Sequence, residues 1–308
     1  MYFLTKTRQL CTRENINPTT LRIIRLIHRK ITYIQVHYTQ EKDYIFCAMV
    51  LYHHKPPFYT ETCMHQLSSY IRLFLGFTVI SILAVIYIPI FLLFLPWRNL
   101  RINIGNSFGK IATPIILLIL GTKMIIRNPE RLKSPRPAIY LSNHSSQLDP
   151  LIAISVCPFN GCGVAKKEII TVPFFGWAYL VSGHLLLDRG NTSKAVESLK
   201  ELGRLVRKHK LGVWIWPEGT RSIDGNLLPF KKGFAHVALE TKLPIIPIVV
   251  RNANKLWPSK SLVINQGSFT VELLPPISTA HWRMENIDSH IKEMEAIYRD
   301  ALEKEPTV

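Results

Sequence analysis

The longest uninterrupted pattern in the chain is apolar. From Leu73 to Trp97 no residue carries a charge, and a run of that length can cross a bilayer, for which about 20 apolar residues suffice. Pro89 and Pro96 argue against one straight helix. Trp97 stands where an interfacial residue would, Arg98 and Arg101 follow it, and only Arg72 lies close to the other end. That asymmetry puts the C-terminal side of the run in the cytoplasm. A second apolar run, Ile111 to Gly121, is broken by Pro114 and stopped by Lys123. It is too short to be assigned as a span. It reads either as a segment dipping into one leaflet or as a helix packed on the domain that follows.

A polar, proline-bearing link, Asn128 to Pro137, then changes the period. Ala138–Ser142, Leu185–Leu187, Val213–Trp216, Ile245–Val250 and Phe269–Leu274 read as short apolar strands. Between and after them, Leu151–Val156, Ser193–His209, Phe234–Thr241 and Ile287–Glu303 have helical spacing. The alternation predicts an α/β fold: a mixed, mainly parallel sheet flanked by helices, behind an N-terminal hydrophobic helical membrane anchor. Ahead of the anchor, Arg22, Arg25, Arg29 and Lys30 are interleaved with Leu21, Ile23, Ile24, Leu26 and Ile27, as in a helix lying on anionic lipid. No small-residue cleavage site follows a short apolar core, so this does not read as a secretory signal. The run Met64-His65-Gln66-Leu67 also resembles a natural start, which makes residues 1–63 either a basic leader or an over-extended beginning. The expected organisation is a leader over 1–63, an anchor over 64–127 and an α/β domain over 128–308.

Composition narrows the classes. The chain has 308 residues, 47% of them hydrophobic, and a formal net charge of +17. Its mean hydropathy of +0.13 is too low for a multi-span membrane protein and high for an ordinary soluble enzyme. The charge points to an anionic partner. No Cys/His finger spacing, basic zipper or aromatic RNA-binding box is present, so an anionic membrane or phosphorylated substrate is expected and nucleic acid is not. The five cysteines, Cys11, Cys47, Cys63, Cys157 and Cys162, fit neither redox nor metal spacing and read as reduced thiols.

Chemistry is concentrated just after the strands, where ligands bind in α/β folds. Asn143-His144-Ser145-Ser146-Gln147-Leu148-Asp149 follows the first. His144 and Asp149 are five apart and cannot share one helix face, so they meet only across a turn or a helix start. If they meet, the carboxylate holds one ring nitrogen protonated and the other can take a proton from an alcohol. The plainer reading is that Asp149 caps a helix with Pro150 at its first position. Trp216-Pro217-Glu218-Gly219-Thr220-Arg221 follows a later strand. Gly219 permits close backbone approach, and Thr220 and Arg221 offer phosphate donors; the alternative is a turn closed by Glu218 and Arg221. Lys166-Lys167 and Asp188-Arg189 bracket an apolar aromatic stretch around Phe174-Phe175-Gly176-Trp177; taken by itself this reads as a solvated charge cluster beside a core packing segment, and the alternative is a polar headgroup site beside an acyl channel. Leu243-Pro244-Ile245-Ile246-Pro247-Ile248 is a proline-framed strand with no chemistry of its own.

In order and spacing these four blocks resemble the glycerolipid acyltransferases, and among them the bacterial PlsC-type 1-acylglycerol-3-phosphate acyltransferase group. Asn143–Asp149 is similar to the family's Asn-His-four-residues-Asp motif, Gly183–Arg189 to its second, Pro217–Arg221 to its Pro-Glu-Gly-Thr-Arg motif and Leu243–Ile248 to its fourth. Trp216 stands where the family often has phenylalanine. The resemblance covers about Met64 to Leu274 and implies an O-acyltransferase that uses acyl-CoA or acyl carrier protein to acylate a lysophospholipid hydroxyl, with neither metal nor cofactor. By that resemblance His144 is the general base and Asp149 its orienting partner. Arg189, Arg221 and Lys167 hold the acceptor phosphate, Glu218, Gly219 and Thr220 build its pocket, and Asn143 or nearby amides meet the oxyanion. The setting implied is an anionic membrane, such as the bacterial inner membrane, with the catalytic domain facing the cytoplasm. A lysophospholipid with a larger headgroup, a lyso-aminolipid, or non-catalytic lipid binding are the alternatives.

Overall fold

In the computed structural model, which describes residues 57–134, 136–187 and 202–304, the apolar N-terminal region forms two long helices, α1 (Pro57–Leu93) and α2 (Arg98–Leu120). Most of the leader, Arg189 and the first part of the helix expected over 193–209 lie outside the described residues. Pro89 is accommodated inside α1 and Pro114 inside α2, while Pro96 falls in the turn between them. The two helices run antiparallel. Arg72 near the start of α1 donates from Nη1 to the Leu120 carbonyl at the end of α2 (3.2 Å), and the Tyr87 and Ser107 hydroxyls meet at 3.2 Å.

The rest is a seven-stranded sheet. Its strands are β1 (Thr122–Arg127), β2 (Ile139–Ser142), β3 (Gly161–Lys166), β4 (Leu185–Leu187), β5 (Gly212–Ile215), β6 (Ile245–Arg251) and β7 (Gly267–Leu273), in the order β1-β7-β6-β2-β5-β3-β4. Every pairing is parallel except β6 with β7. Strand β2 is buried at all four positions, as a central strand covered on both faces must be. Its alternate side chains serve two cores. Ile139 and Leu141 join Phe234 of α5 (Gly233–Thr241), Met294 and Tyr298 of α7 (Ile287–Glu303), and Leu202 and Val206 of the helical residues 202–209. Tyr140 faces the other way, with Phe108 and Ile116 of α2, Leu151 and Ile152 of α3 (Asp149–Val156) and Leu256 of the short α6 (Ala253–Leu256).

Packing decides two features of this region, and the second apolar run takes the packed alternative. The second apolar run is the end of a 23-residue helix, α2, that packs on α3 and contributes Ile102, Phe108, Ala112 and Ile116 to the core. The boundary expected at 127 falls directly after β1, a strand of the same sheet, and residues 64–308 pack as one compact unit. Gly121, at φ 70° with its N–H on the Leu117 and Leu118 carbonyls, ends α2 and turns the chain straight into β1.

Both N-terminal helices are long and apolar enough to cross a membrane, but they are not alike. In its most apolar window α1 has a mean hydropathy of 2.5 and only 17% of it is buried, against 1.4 and 44% for α2. Phe74, Leu93 and Leu118 are 70%, 71% and 81% exposed. Apolar surface of that extent is suited to lipid, and the two helices point to membrane association.

The contact of α2 with α3 is tight enough to test. A Cβ on Gly109 would lie 2.1 Å from the Ile154 carbonyl oxygen, which is backbone and cannot swing aside. Gly109→Ala is expected to force the helices apart and to cost about 1–3 kcal/mol, the usual range for overpacking. Thermal unfolding in detergent would read this, and an unchanged melting temperature would mean that the two helices are not held at this distance.

Candidate active site

Strands β2, β5 and β3 are parallel neighbours, so their C-terminal ends open on the same edge of the sheet. The segment after β2 carries His144, the segment after β5 carries Glu218 to Arg221, and β3 ends at Lys166. Three blocks far apart in sequence are brought together by topology alone.

His144 and Asp149 do meet. The ring Nδ1 of His144 lies 2.6 Å from Oδ2 of Asp149, and because an ionised carboxylate only accepts, the Nδ1–H is the donor and Nε2 carries the lone pair. The same Oδ2 also accepts the backbone N–H groups of Ser145 (2.8 Å) and Ser146 (2.9 Å). The plain capping reading is not met: Leu148 is the N-cap of α3 with no side-chain cap hydrogen bond, Asp149 is the first helical residue, and its carboxylate points back to the loop that carries His144. The chain curls back over its own carboxylate, which brings two residues five apart into contact. The indole of Trp216 stacks on the imidazole, with centroids 4.6 Å apart and planes at 18°.

Glu218 joins the two loops. It is buried; Oε1 accepts the His144 N–H at 2.6 Å and Oε2 the Leu228 N–H at 3.0 Å, while the Ser222 N–H donates to the His144 carbonyl at 2.8 Å. Burial pushes the Glu218 carboxyl up to about 7, against the pull of those two N–H groups. Arg221 does not close a turn with Glu218. Its Nη1 donates to Oε1 of Gln147 at 2.6 Å, its Nε is buried without a hydrogen-bond partner, and burial lowers its pKa. Gly219 sits at φ 69°, where a Cβ would meet the Lys231 side chain at 2.9 Å.

Two expected contacts are placed differently. Asn143 does not face a ligand: its Nδ2 donates to the Val250 carbonyl (3.0 Å) and its Oδ1 accepts the Val250 N–H (2.8 Å), so both polar atoms are committed to β6. The amides of His144, Ser145 and Ser146 are likewise given to carboxylates. Lys167 opens an exposed turn after β3, and it is its neighbour Lys166 that lines the cavity beside His144. That cavity measures about 810 Å³. Polar groups in its wall include His144, Lys166, Thr220, Arg221, Asp224 and Lys260; apolar ones include Phe91 of α1, Phe108 of α2, Ile154 of α3 and Phe175 of α4 (Phe175–Val181). A second histidine, His184, also lines it. Burial drives its pKa down to about 4, and its Nδ1 accepts the Gly163 N–H at 3.1 Å, so it is a poor base beside His144. Trp216, Gln147, Lys166 and His184 were not assigned these places from sequence; the first three lie in blocks that the sequence marked, and His184 carried no signal of its own.

Residues 123–251 match the acyltransferase family. The chain is 38% identical over 232 residues to a 1-acyl-sn-glycerol-3-phosphate acyltransferase of Limnanthes douglasii, covering 75% of this chain and 82% of that one. The chain belongs to the acyltransferase family. A protein of the same name from Cocos nucifera is 39% identical over 234 residues (76% and 75% covered), and one from Escherichia coli K12 is 33% identical over 226 (73% and 87%). The crystal structure of the 1-acyl-sn-glycerophosphate acyltransferase of Thermotoga maritima shares the fold, with a TM-score of 0.58 at 21% identity over 78% of this chain and 100% of that one.

In this acyltransferase the raised Glu218 carboxyl makes stability depend on pH in a defined direction. The folded protein holds that proton more tightly than the unfolded chain. The stabilisation is full below the ordinary carboxylate value of 4.5 and is lost as pH rises through about 7. The melting temperature of wild type relative to Glu218→Gln is therefore expected to fall between about pH 5 and about pH 8. A constant difference across that window would mean that the carboxyl is not raised.

Proposed function

We propose that this acyltransferase moves a fatty acyl group from acyl-CoA or acyl carrier protein to the sn-2 hydroxyl of 1-acylglycerol 3-phosphate, giving phosphatidic acid. The observation that carries the reading is that His144, held by Asp149, and the partly buried Arg221 line one cavity whose remaining wall is largely apolar. A lysophosphatidate has the same make-up: a hydroxyl to be deprotonated, a phosphate and a long tail. The names of the relatives above support that acceptor.

In the mechanism, Nε2 of His144 takes the acceptor's proton as its oxygen attacks the thioester carbonyl. The C–S bond then breaks, and the imidazolium returns the proton to the departing thiolate. Asp149 holds the ring in the tautomer that leaves Nε2 basic and stabilises its charged form. Arg221, with Lys166 in place of the Lys167 first considered and with Arg189, binds phosphate, for which a guanidinium is suited geometrically as well as in charge. Thr220 and Gly219 form the wall beside it. Since the amides of residues 144–146 and Asn143 are engaged elsewhere, the oxyanion is met from another wall of the cavity. The apolar helices hold the site at the cytoplasmic face of an anionic membrane, where the chain's positive charge favours binding.

Transfer of labelled acyl from acyl-CoA to lysophosphatidate tests this. His144→Ala is expected to lower kcat by about 10²–10⁴-fold, the usual contribution of a general base. Undiminished activity would sink the mechanism. Arg221→Gln is expected to raise KM for lysophosphatidate about tenfold or more while leaving KM for the donor within about twofold. If wild type prefers a lysophospholipid with a larger headgroup, the acceptor assignment is wrong and the reaction class stands.

A further inference from the structure

The β2–β6 ladder carries the chain into the site, and side chains hold its last two levels. At the level next to His144, the Asn143 amide takes the place of a strand, pairing with both the N–H and the carbonyl of Val250. One level earlier, where Leu141 stands opposite Pro247, a phenol comes in from the far end of the chain. The hydroxyl of Tyr298, on α7, donates to the Leu141 carbonyl and accepts the Ile248 N–H at 3.2 Å. Those two backbone groups are neighbours across the ladder. Tyr298 has no exposed surface, and its ring is edge-on to Phe230 with centroids 5.2 Å apart. Burial pushes its pKa up, so the hydroxyl keeps its proton and its donor role does not vary with pH.

The same helix reaches the second loop. Oε1 of Glu295 accepts the Phe230 N–H at 2.6 Å, two residues beyond the Leu228 N–H that serves Glu218. Helix α7 thus touches β2, which carries the His144 loop, its neighbour β6 and the segment that returns to Glu218, although it lies wholly outside the family match over 123–251.

We infer that Tyr298 is a positioning residue for acyl transfer, its hydroxyl fixing the end of β2 against β6 and so setting where His144 stands. This rests on the acyl-transfer reading above. Leu141 is three residues before His144, a short extended lever of about 3.3 Å per residue. A displacement of about 1 Å in a catalytic group is enough to cost two orders of magnitude in rate. A purely structural role, docking α7 to the sheet, would instead lower stability and leave turnover per folded molecule unchanged.

The test is Tyr298→Phe, which keeps the ring against Phe230 and removes only the bridge. In the full chain, with kcat counted per folded molecule, kcat is expected to fall about tenfold or more while KM for acyl-CoA and for lysophosphatidate each stay within about twofold. Replacing Tyr298 by 4-aminophenylalanine, whose amine can still donate to Leu141, is expected to recover at least about threefold of that loss. An unchanged kcat with a lower melting temperature, a loss expressed in KM, or no recovery with the amine would each overturn the inference. Should the Phe variant not accumulate in folded form, 4-fluorophenylalanine, which fills the hydroxyl's place without donating, is used at 298 instead: a kcat about tenfold or more below wild type at unchanged KM supports the inference, and an equal kcat overturns it. Wild type that makes no phosphatidate in the same assay would remove the substrate reading itself, whereas active wild type with an equally active Phe variant removes only the role of Tyr298.

Discussion

One oxygen of one buried carboxylate organises the site. Oδ2 of Asp149 collects the His144 ring N–H and the amides of Ser145 and Ser146. An ionised carboxylate in a buried place is tolerated only when donors surround it, and here those donors come from the five residues just before it. The folding of the loop and the orientation of the imidazole are therefore the same event. Small residues at 145 and 146 let the backbone turn that tightly, and the Ser146 hydroxyl anchors the turn by donating toward the Ala253 and Trp257 carbonyls at 2.9 and 2.8 Å. The ring's tautomer then needs no further control, because a group that can only accept faces Nδ1.

Glu218 supplies the complementary constraint between loops. Its two oxygens tie the His144 backbone to the segment at Leu228, and Gln147 reaches across to hold Arg221. The candidate base and the candidate phosphate ligand are thus fixed relative to each other through hydrogen bonds that use up the loop's own donors. Arg221 keeps a buried Nε with no partner, which is costly for a charged group and is the kind of debt a bound anion would relieve. The contrast with Asn143 is informative. An amide can satisfy both groups of a strand residue at once, and Asn143 does so with Val250, which makes it part of the sheet.

Much of this was legible in the chain because the chemistry is local in sequence. The motifs at 143–149 and 217–221 sit directly after apolar runs that become β2 and β5, and α7 appears with the boundaries its amphipathic period gives. Two strands were not legible. β1, Thr-Lys-Met-Ile-Ile-Arg, follows the apolar end of α2 with no loop beyond Gly121 and looks like the tail of that run. β3, Gly-Cys-Gly-Val-Ala-Lys, carries two glycines that weaken any strand signal and becomes a strand because it has β4 on one side and β5 on the other. The choice between Lys166 and Lys167 turns on where β3 ends, which a neighbouring strand decides. The role of Asn143 is equally invisible, since its partner lies 107 residues away.

The two apolar helices had one hydrophobic signature and turn out to have different surroundings. α1 is exposed along most of its length, whereas α2 presents one face to the sheet and α3 and another outward. This division decides what the cavity can hold. Phe91 and Phe108 line it from the same helices that expose Leu93 and Leu118 on their surfaces, so the cavity and the exposed apolar surface share the helix pair. An acyl chain in the cavity would be surrounded by apolar side chains in place of apolar lipid, with little change in transfer free energy. Binding selectivity must accordingly come from the few polar groups in the wall, His144, Arg221 and their neighbours, and not from the burial of the tail. A site of this kind can accept a lipid substrate at the membrane with no need to lift its chain through water, and its rigid polar wall is what such an arrangement requires.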